Sequence, residues 1–431
     1  MSINIATHSA LRFSPPEPRS VEDTGLDLSF ISDLALKNLY SPGVLTGYEL
    51  AEALALPFSA VVEPALAFLR REHMVELKST ATVSVESSYR YGITDRGRTR
   101  ARDLLNDNGY VGPAPVPLDR YNESVSRQSL GGRPVAQDQV RSALANLVLP
   151  ESVIRQLGPA VNSGKSMFIF GEPGNGKTAI SQAVGSMLPG LIFVPYAITT
   201  DGHIIKLYDD LNHGPSMDAE LPARSRRHDH RWVLIRRPSI AAGGELTLDA
   251  LDLVYDPVKK YYEAPYQTKA NGGLFLIDDF GRQLVRPRDL LNRWIMPLEK
   301  RVDFLTLVTG RKIEVPFDTL VVFATNLAPA DLVDEAFLRR IRYKIHVTDP
   351  TWDEYREIFR RECQERGIVY DAHAVDYLID QHYVAVGRRP RGVHPRDILG
   401  ELVDFAGYNG QEPELTPELL DEACSAYFLT E

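Results

Sequence analysis

The chain has 431 residues, enough for two or three domains with cores of their own. It is 44% hydrophobic and 25% charged, the balance of a globular protein, and its formal net charge of −10 offers no global positive field to nucleic acid or anionic membrane. Its two cysteines, Cys363 and Cys424, are far apart, which excludes a disulfide framework or a cysteine metal site and fits a reducing, cytoplasmic setting.

The opening MSINIATHSALRFSPPEPRS lacks the basic region and apolar core of a signal peptide. Residues 1–25 are rich in Ser, Pro and charge and are expected to be disordered. Residues 26–110 form a compact pattern. A helical SFISDLALKNLY precedes TGYELAEALAL, with Thr46 as the expected cap, and then PFSAVVEPALAFLRREHMVEL. The apolar run LALPFSAVVEPALAFL is broken by Pro57, Glu63 and Pro64 and is too short and polar to span a bilayer. An alternating ATVSVESSYRYGIT and a basic helix DRGRTRARDLL complete the order of a winged helix-turn-helix. The segment from Glu76 to Leu105 resembles the wing and closing helix of bacterial winged-helix proteins. Yet Leu26 to Tyr110 holds nine Lys/Arg against eleven Asp/Glu, and only Arg96, Arg98, Arg100 and Arg102 crowd together. That balance favours a protein-docking or spacer role over duplex DNA.

Residues 111–134, rich in Pro, Gly and Ser, read as a linker. Residues 135–347 alternate strand and helix patterns, the signature of an α/β domain with a parallel sheet. Residues 348–431 read as helices only, with a capping box at Thr351 and Glu354 and a helix start at Thr416-Pro417. In the α/β region, SMFIFGEPGNGKTAISQAVGSML places Gly171-Glu172-Pro173-Gly174-Asn175-Gly176-Lys177-Thr178-Ala179 between an apolar strand and a helix. This is a phosphate-binding loop. Its glycines let backbone N–H groups turn inward, the helix N-terminus adds positive potential, Lys177 reaches the β/γ-phosphates and Thr178 holds Mg²⁺. Further on, LFLIDDFGRQ runs a buried strand into two adjacent aspartates, a costly placement unless a bound cation compensates them.

The order of these stations over residues 137–431 resembles AAA+ ATPases, in the branch with a β-hairpin before the first sensor. The resemblance implies an ATP-hydrolysing fold: an α/β AAA+ P-loop core, a C-terminal helical lid and, here, an N-terminal winged helix. It gives Asp278 the Mg²⁺ shell and Asp279 the attacking water, with Asp in place of the usual Glu. TLVVFATNLAP matches the sensor-1 strand, so Asn326 would orient the water. VDFLTLVTGRKIEVPFD falls where the hairpin belongs and alternates about Thr309-Gly310-Arg311. DEAFLRRIRYKI matches the arginine-finger box, with Arg340 first, Arg339 close behind and Arg342 third. A finger serves a neighbouring subunit, which implies a homo-oligomeric ring, most simply a hexamer. RGVHPRDIL resembles the sensor-2 helix, with Arg396 reaching the γ-phosphate or pairing with Asp397.

Lys177 and Asp278 lie 101 positions apart, further than the family needs, so the span carries an insertion. PSMDAELPARSRRHDHRW reads as a polar surface loop, and WVLIRRPSIAAGGELTLDALDL as a strand, a glycine turn and a second strand or short helix. Lys259, Lys260, Tyr261 and Tyr262 have the chemistry of a pore loop that grips polypeptide, or of a tyrosine pair packing the insertion's base. His228 and His230 lack the further ligands a metal would need. The expected function is ATP-driven remodelling of a macromolecular partner, most simply a protein. DNA action through residues 26–110, or a nucleotide-gated scaffold with little hydrolysis, are the alternatives.

Overall fold

The computed structural model describes residues 13–79, 86–131, 134–217, 227–332 and 335–428. Its centre is a five-stranded, all-parallel sheet: β1 (Met167–Phe170), β2 (Ser239–Ala242), β3 (Leu274–Ile277), β4 (Leu320–Thr325) and β5 (Tyr343–His346), in the spatial order β2-β3-β4-β1-β5. The register carries Ile277 beside Ala242 and Phe323, and Met167 beside Val322 and Tyr343. β1, β3 and β4 are apolar along their length because a parallel sheet is covered on both faces. Alternate residues divide between two cores. Met167, Ile169, Leu274, Leu276 and Val322 pack with the helices Gln137–Ala143, Glu151–Ser163 and Lys177–Met187. Phe168, Phe275, Ile277 and Phe323 meet Phe280, Leu290 and Trp294 on the other face. Since the strands run parallel, β1, β3 and β4 end on one side, and the loops after them converge there.

Four helices follow the sheet: Trp352–Arg366, Ala372–Ile379, His394–Asn409 and Pro417–Tyr427. The capping box forms at Thr351 and Glu354, and Thr416 caps the last helix. Cys363 and Cys424 are free thiols in this helical core, and burial pushes them up to about 11 and about 12. At the other end of the chain, Leu28–Tyr40, Gly47–Leu54 (capped by Thr46) and Glu63–Arg71 pack against a three-stranded antiparallel sheet and the helix Asp95–Asp107. Residues 80–85 of the expected alternating stretch lie outside the described residues; strands form at Val75–Ser79 and Arg90–Ile93. Among the described residues no single helix is long and apolar enough to cross a membrane. The bent pair Gly47–Leu54 and Phe58–Arg71 has the composition, but its Leu54, Val61, Leu66 and Leu69 are buried in this N-terminal core.

Several expectations require correction. The stretch 111–134 is no plain linker: it contributes the strand Val116–Pro117 and the helix Leu118–Arg127. That strand is one edge of a second five-stranded sheet, otherwise built from the insertion by Ala197–Thr200, His203–Lys206, Tyr261–Glu263 and Val254–Asp256. The segment from residue 13 to 25 is ordered against this insertion. Phe13 meets Trp232 edge-on at 5.7 Å between centroids, and Pro15 C=O accepts from Asp229 N–H at 2.9 Å. The polar loop expected around residue 229 is a buried site: Arg231 and Asp229 are enclosed and paired, and Arg231 also donates to Thr24 C=O and Pro115 C=O. Residues 218–226 of that loop lie outside the described residues. The apolar run after Trp232 is two strands, Trp232–Arg236 and β2, split at Pro238, so the insertion supplies an edge of the central sheet.

The Lys259-to-Tyr262 segment does not project as a pore loop. Tyr262 is 1% exposed and its hydroxyl accepts from Val308 N–H at 2.9 Å. Tyr261 packs edge-on against Tyr110, Lys259 C=O accepts from Gly109 N–H at 2.7 Å, and Lys260 Nζ donates to Asn106 C=O at 2.6 Å. The segment is a clamp on the N-terminal unit, whose core also takes in Ala197 and Ile204. The hairpin Val302–Thr306 with Lys312–Pro316 forms as expected from its alternation, and buries Leu305, Leu307, Ile313 and Val315 against the insertion.

Candidate functional site

The loop 171–176 leaves the end of β1 and turns into the helix Lys177–Met187. Its glycines are required by geometry. A Cβ on Gly171, at φ +150°, would lie 2.0 Å from Val347 C=O, and one on Gly174, at φ +82°, would lie 2.7 Å from Val393. Lys177 and Asn175 are buried polar residues at the mouth of this turn. Lys177 Nζ donates to Glu172 C=O at 2.8 Å, closing the loop on itself. Burial lowers the Lys177 pKa, while Asp279, Asp278 and Glu172 raise it and Arg391 lowers it further. The Lys177 ammonium thus lies in the field of these carboxylates at the start of the helix Lys177–Met187, the position from which a lysine reaches a phosphate bound by such a loop.

The strand ends supply the rest. Thr178 Oγ1 donates to Asp278 Oδ2 at 2.7 Å. A hydroxyl and a carboxylate at that separation, both oxygen donors and both facing the phosphate loop, suit a hard divalent cation such as Mg²⁺. Bound there with nucleotide, such an ion neutralises charge on the phosphate oxygens. Next door, Asn326 Nδ2, just beyond β4, donates to Asp279 Oδ1 at 3.2 Å. Asp278 is half-buried and Asp279 exposed, so the second carboxylate faces open solvent, where a water can approach it. Lys177, Thr178, Asp278, Asp279 and Asn326 are thus brought together from three strand ends.

The arginines separate. Arg396 is 61% exposed and bonds its neighbour Asp397. The arginine that reaches the phosphate loop is Arg391, which donates to Asp349 and, at 3.2 Å, to Glu172 Oε2. Around it, Asn175 Nδ2 donates to Asp349 at 2.8 Å, Gly392 N–H to Asn175 Oδ1 at 3.0 Å and Val393 N–H to Gly174 C=O at 2.8 Å. The helical C-terminal unit therefore sits directly on the loop through residues 391–393. Sequence reasoning did not single out Arg391, because GRRPRGVHPRD offers four arginines and only their partners in the fold tell them apart. Arg340 is held by Glu299 at 2.5 Å and lies 6.0 Å from the Phe337 ring; Arg339 is 76% exposed and bonds Glu335 at 2.8 Å; Arg342 stacks over Tyr343 at 5.7 Å. Among the described residues, no group of three or more His, Cys, Asp or Glu could hold a metal, His228 and His230 included.

Residues 351–426 match a domain of unknown function, DUF8689. A vesicle-fusing ATPase of Dictyostelium discoideum is 39% identical over 276 residues, covering 63% of this chain and 30% of that protein, so the chain spans about a third of its relative's length. Among solved structures, the RuvB Holliday junction branch migration motor of Thermotoga maritima aligns at 14% identity with a TM-score of 0.35, covering 68% of this chain and 70% of that one. NtrX of Brucella abortus in complex with ATP aligns at 12% identity with a TM-score of 0.40, covering 86% and 70%. The parallel sheet, its strand order and the glycine loop after β1 themselves give the chain an α/β fold of the P-loop kind.

Proposed function

We propose that the protein is an Mg²⁺-dependent ATPase that couples binding and hydrolysis of ATP to remodelling of a protein partner. One observation carries this reading: Thr178 bonded to Asp278, with Asn326 bonded to Asp279 beside it, at the mouth of a glycine loop that Lys177 closes through Glu172 C=O. Lys177 and the loop amides bind the β- and γ-phosphates, Thr178 and Asp278 hold the cation, Asp279 polarises the attacking water, and Asn326 orients that water against the γ-phosphate. Arg391 replaces its bonds to Asp349 and Glu172 with the γ-phosphate; Arg396, the alternative on the adjoining helix, is paired with Asp397 and further out. The helices from Trp352 to Tyr427 act as the lid.

The protein further forms a ring, in which exposed Arg339, or Arg340 released from Glu299, completes the site of the next subunit. The N-terminal unit is a winged helix, the hairpin Val302–Thr306/Lys312–Pro316 is the insertion before sensor 1, and the assembly works in the cytoplasm. A protein is favoured over DNA because residues 26–110 hold nine Lys/Arg against eleven Asp/Glu, and four of those cations already sit beside carboxylates: Arg71 and Arg96 near Glu72, Arg100 near Asp33, Lys78 near Glu76. The name of the Dictyostelium relative, a vesicle-fusing ATPase, points the same way. The test is phosphate release from Mg·ATP over a range of protein concentrations. Specific activity that rises with concentration and is abolished by Lys177→Ala supports the reading. Tight nucleotide binding without turnover at any concentration refutes hydrolysis and leaves a nucleotide-gated scaffold.

A further inference from the structure

The corner that presents the two aspartates is only two residues long. β3 ends at Ile277, and by Phe280 the chain is fixed again. Phe280 is 1% exposed, its N–H donates to Ala324 C=O at 2.7 Å, and its C=O accepts from Thr325 Oγ1 at 2.7 Å. Between these anchors Asp279 takes φ +49°, the left-handed region, uncommon for a residue other than glycine though Asp tolerates it better than most. Gly281 follows at φ +108°, where a Cβ would lie 2.8 Å from Leu332. Arg282 N–H donates to Asp279 C=O at 2.9 Å across the turn, and one side chain bridges its two ends. Gln283 Nε2 donates to Asp278 C=O at 2.7 Å, and Gln283 Oε1 accepts from Gly281 N–H at 2.8 Å. Its amide spans the corner from Asp278 C=O to Gly281 N–H without using either carboxylate, and these stay bonded to Thr178 and Asn326.

We propose that Gln283 is a positioning residue for hydrolysis: its amide holds the Asp278–Gly281 backbone so that Asp279 is aimed at the water and Asp278 stays against Thr178. This inference rests on the ATPase reading. Gln283 touches no nucleotide atom in that scheme, so its effect passes through Asp279, and a misplacement of about 1 Å there costs on the order of 100-fold in rate.

The test uses the full-length protein with Gln283→Met, which keeps the side chain's length and removes both polar ends, and Gln283→Leu as a second variant. Single-turnover hydrolysis of Mg·ATP is measured together with the affinity for a fluorescent ADP analogue. The expected result is a ten- to hundred-fold loss of hydrolysis rate with nucleotide affinity within about two-fold of the parent. In an Asp279→Asn background, the same Gln283 change is expected to cost less than two-fold more, because the group it aims is already gone. Parental turnover in both Gln283 variants, an equal fold-loss with and without Asp279, or a loss that follows nucleotide affinity would overturn the positioning role while leaving the ATPase reading intact. A parent protein that binds the analogue yet hydrolyses no ATP would remove the ATPase reading and this inference together.

Discussion

Replacing Arg231 by methionine tests how the N-terminal unit is joined to the nucleotide-binding core. Arg231 is 0% exposed and Asp229 3%. Arg231 Nε lies 3.0 Å from Asp229 Oδ1 and its terminal nitrogen 2.7 Å from Oδ2, so the pair is bidentate. The remaining terminal nitrogen donates to Thr24 C=O at 2.9 Å and to Pro115 C=O at 3.1 Å, tying the N-terminal segment and the connector to the insertion. Methionine fills much of the volume but leaves the Asp229 carboxylate buried without its cation. Breaking one partner of such a pair costs about 3–5 kcal/mol. The two orphaned carbonyls add to this only where water cannot reach them. Trp232, in edge contact with Phe13, sits next to the change and serves as the probe. Urea unfolding followed by tryptophan fluorescence is expected to lose stability in that range, and residues 13–25 should become sensitive to protease. Arg231→Met combined with Asp229→Leu should recover most of the loss, since replacing both charges with apolar groups is often neutral or better. A single-variant cost below about 1 kcal/mol would refute the reasoning, as would a double variant no more stable than the single.

Three further outcomes follow from the site and its surroundings. Arg391→Ala should lower ATP turnover at least ten-fold while Arg396→Ala stays within about three-fold, by the measure of one removed charge contact to phosphate; steady-state phosphate release distinguishes them, and the reverse ranking would restore Arg396 as the sensing residue. Tyr262→Ala should cost about 3–5 kcal/mol in chemical denaturation, the price of emptying a core aromatic, whereas a projecting pore residue would lose partner processing at unchanged stability. His394, bonded to Tyr383 at 3.0 Å, is pulled down to about 4 by burial first and then by Arg391 and Arg388. Its folded pKa lies below its ordinary value, so the unfolded chain binds the extra proton and stability rises with pH between about 4 and 6.5. Melting curves across that window should flatten in His394→Phe, and an unchanged slope would assign the dependence to other groups.

What could be read in advance was what depends on neighbours in sequence. The phosphate loop, the cap at Thr46, the capping box at Thr351, the alternating hairpin about Gly310 and the paired aspartates are all short patterns with local causes. Features left open or misread were set by distant partners. The composition of Lys259 to Tyr262 suits both a gripping loop and a tyrosine pair packing the insertion's base, and the atoms that decide for packing, Asn106 C=O, Gly109 N–H and Val308 N–H, come from elements far along the chain. Charge misled for the same reason. Around residue 229 the run of Arg, His and Asp has the composition of a solvated loop, and a polar composition normally means surface. Burial of Arg231 becomes affordable only because Asp229 satisfies it from two residues away while Thr24 and Pro115 approach from segments more than a hundred residues off. The same holds for the choice among the arginines before the helix His394–Asn409. Arg391 and Arg396 are equally plausible by type and spacing, and what separates them is that β5 runs on to Asp349, which meets the phosphate loop through Asn175 and draws Arg391 with it. Which arginine lies at the phosphate loop is therefore set by which carboxylate the sheet delivers beside it, a property of the strand order rather than of the motif in which the arginine stands.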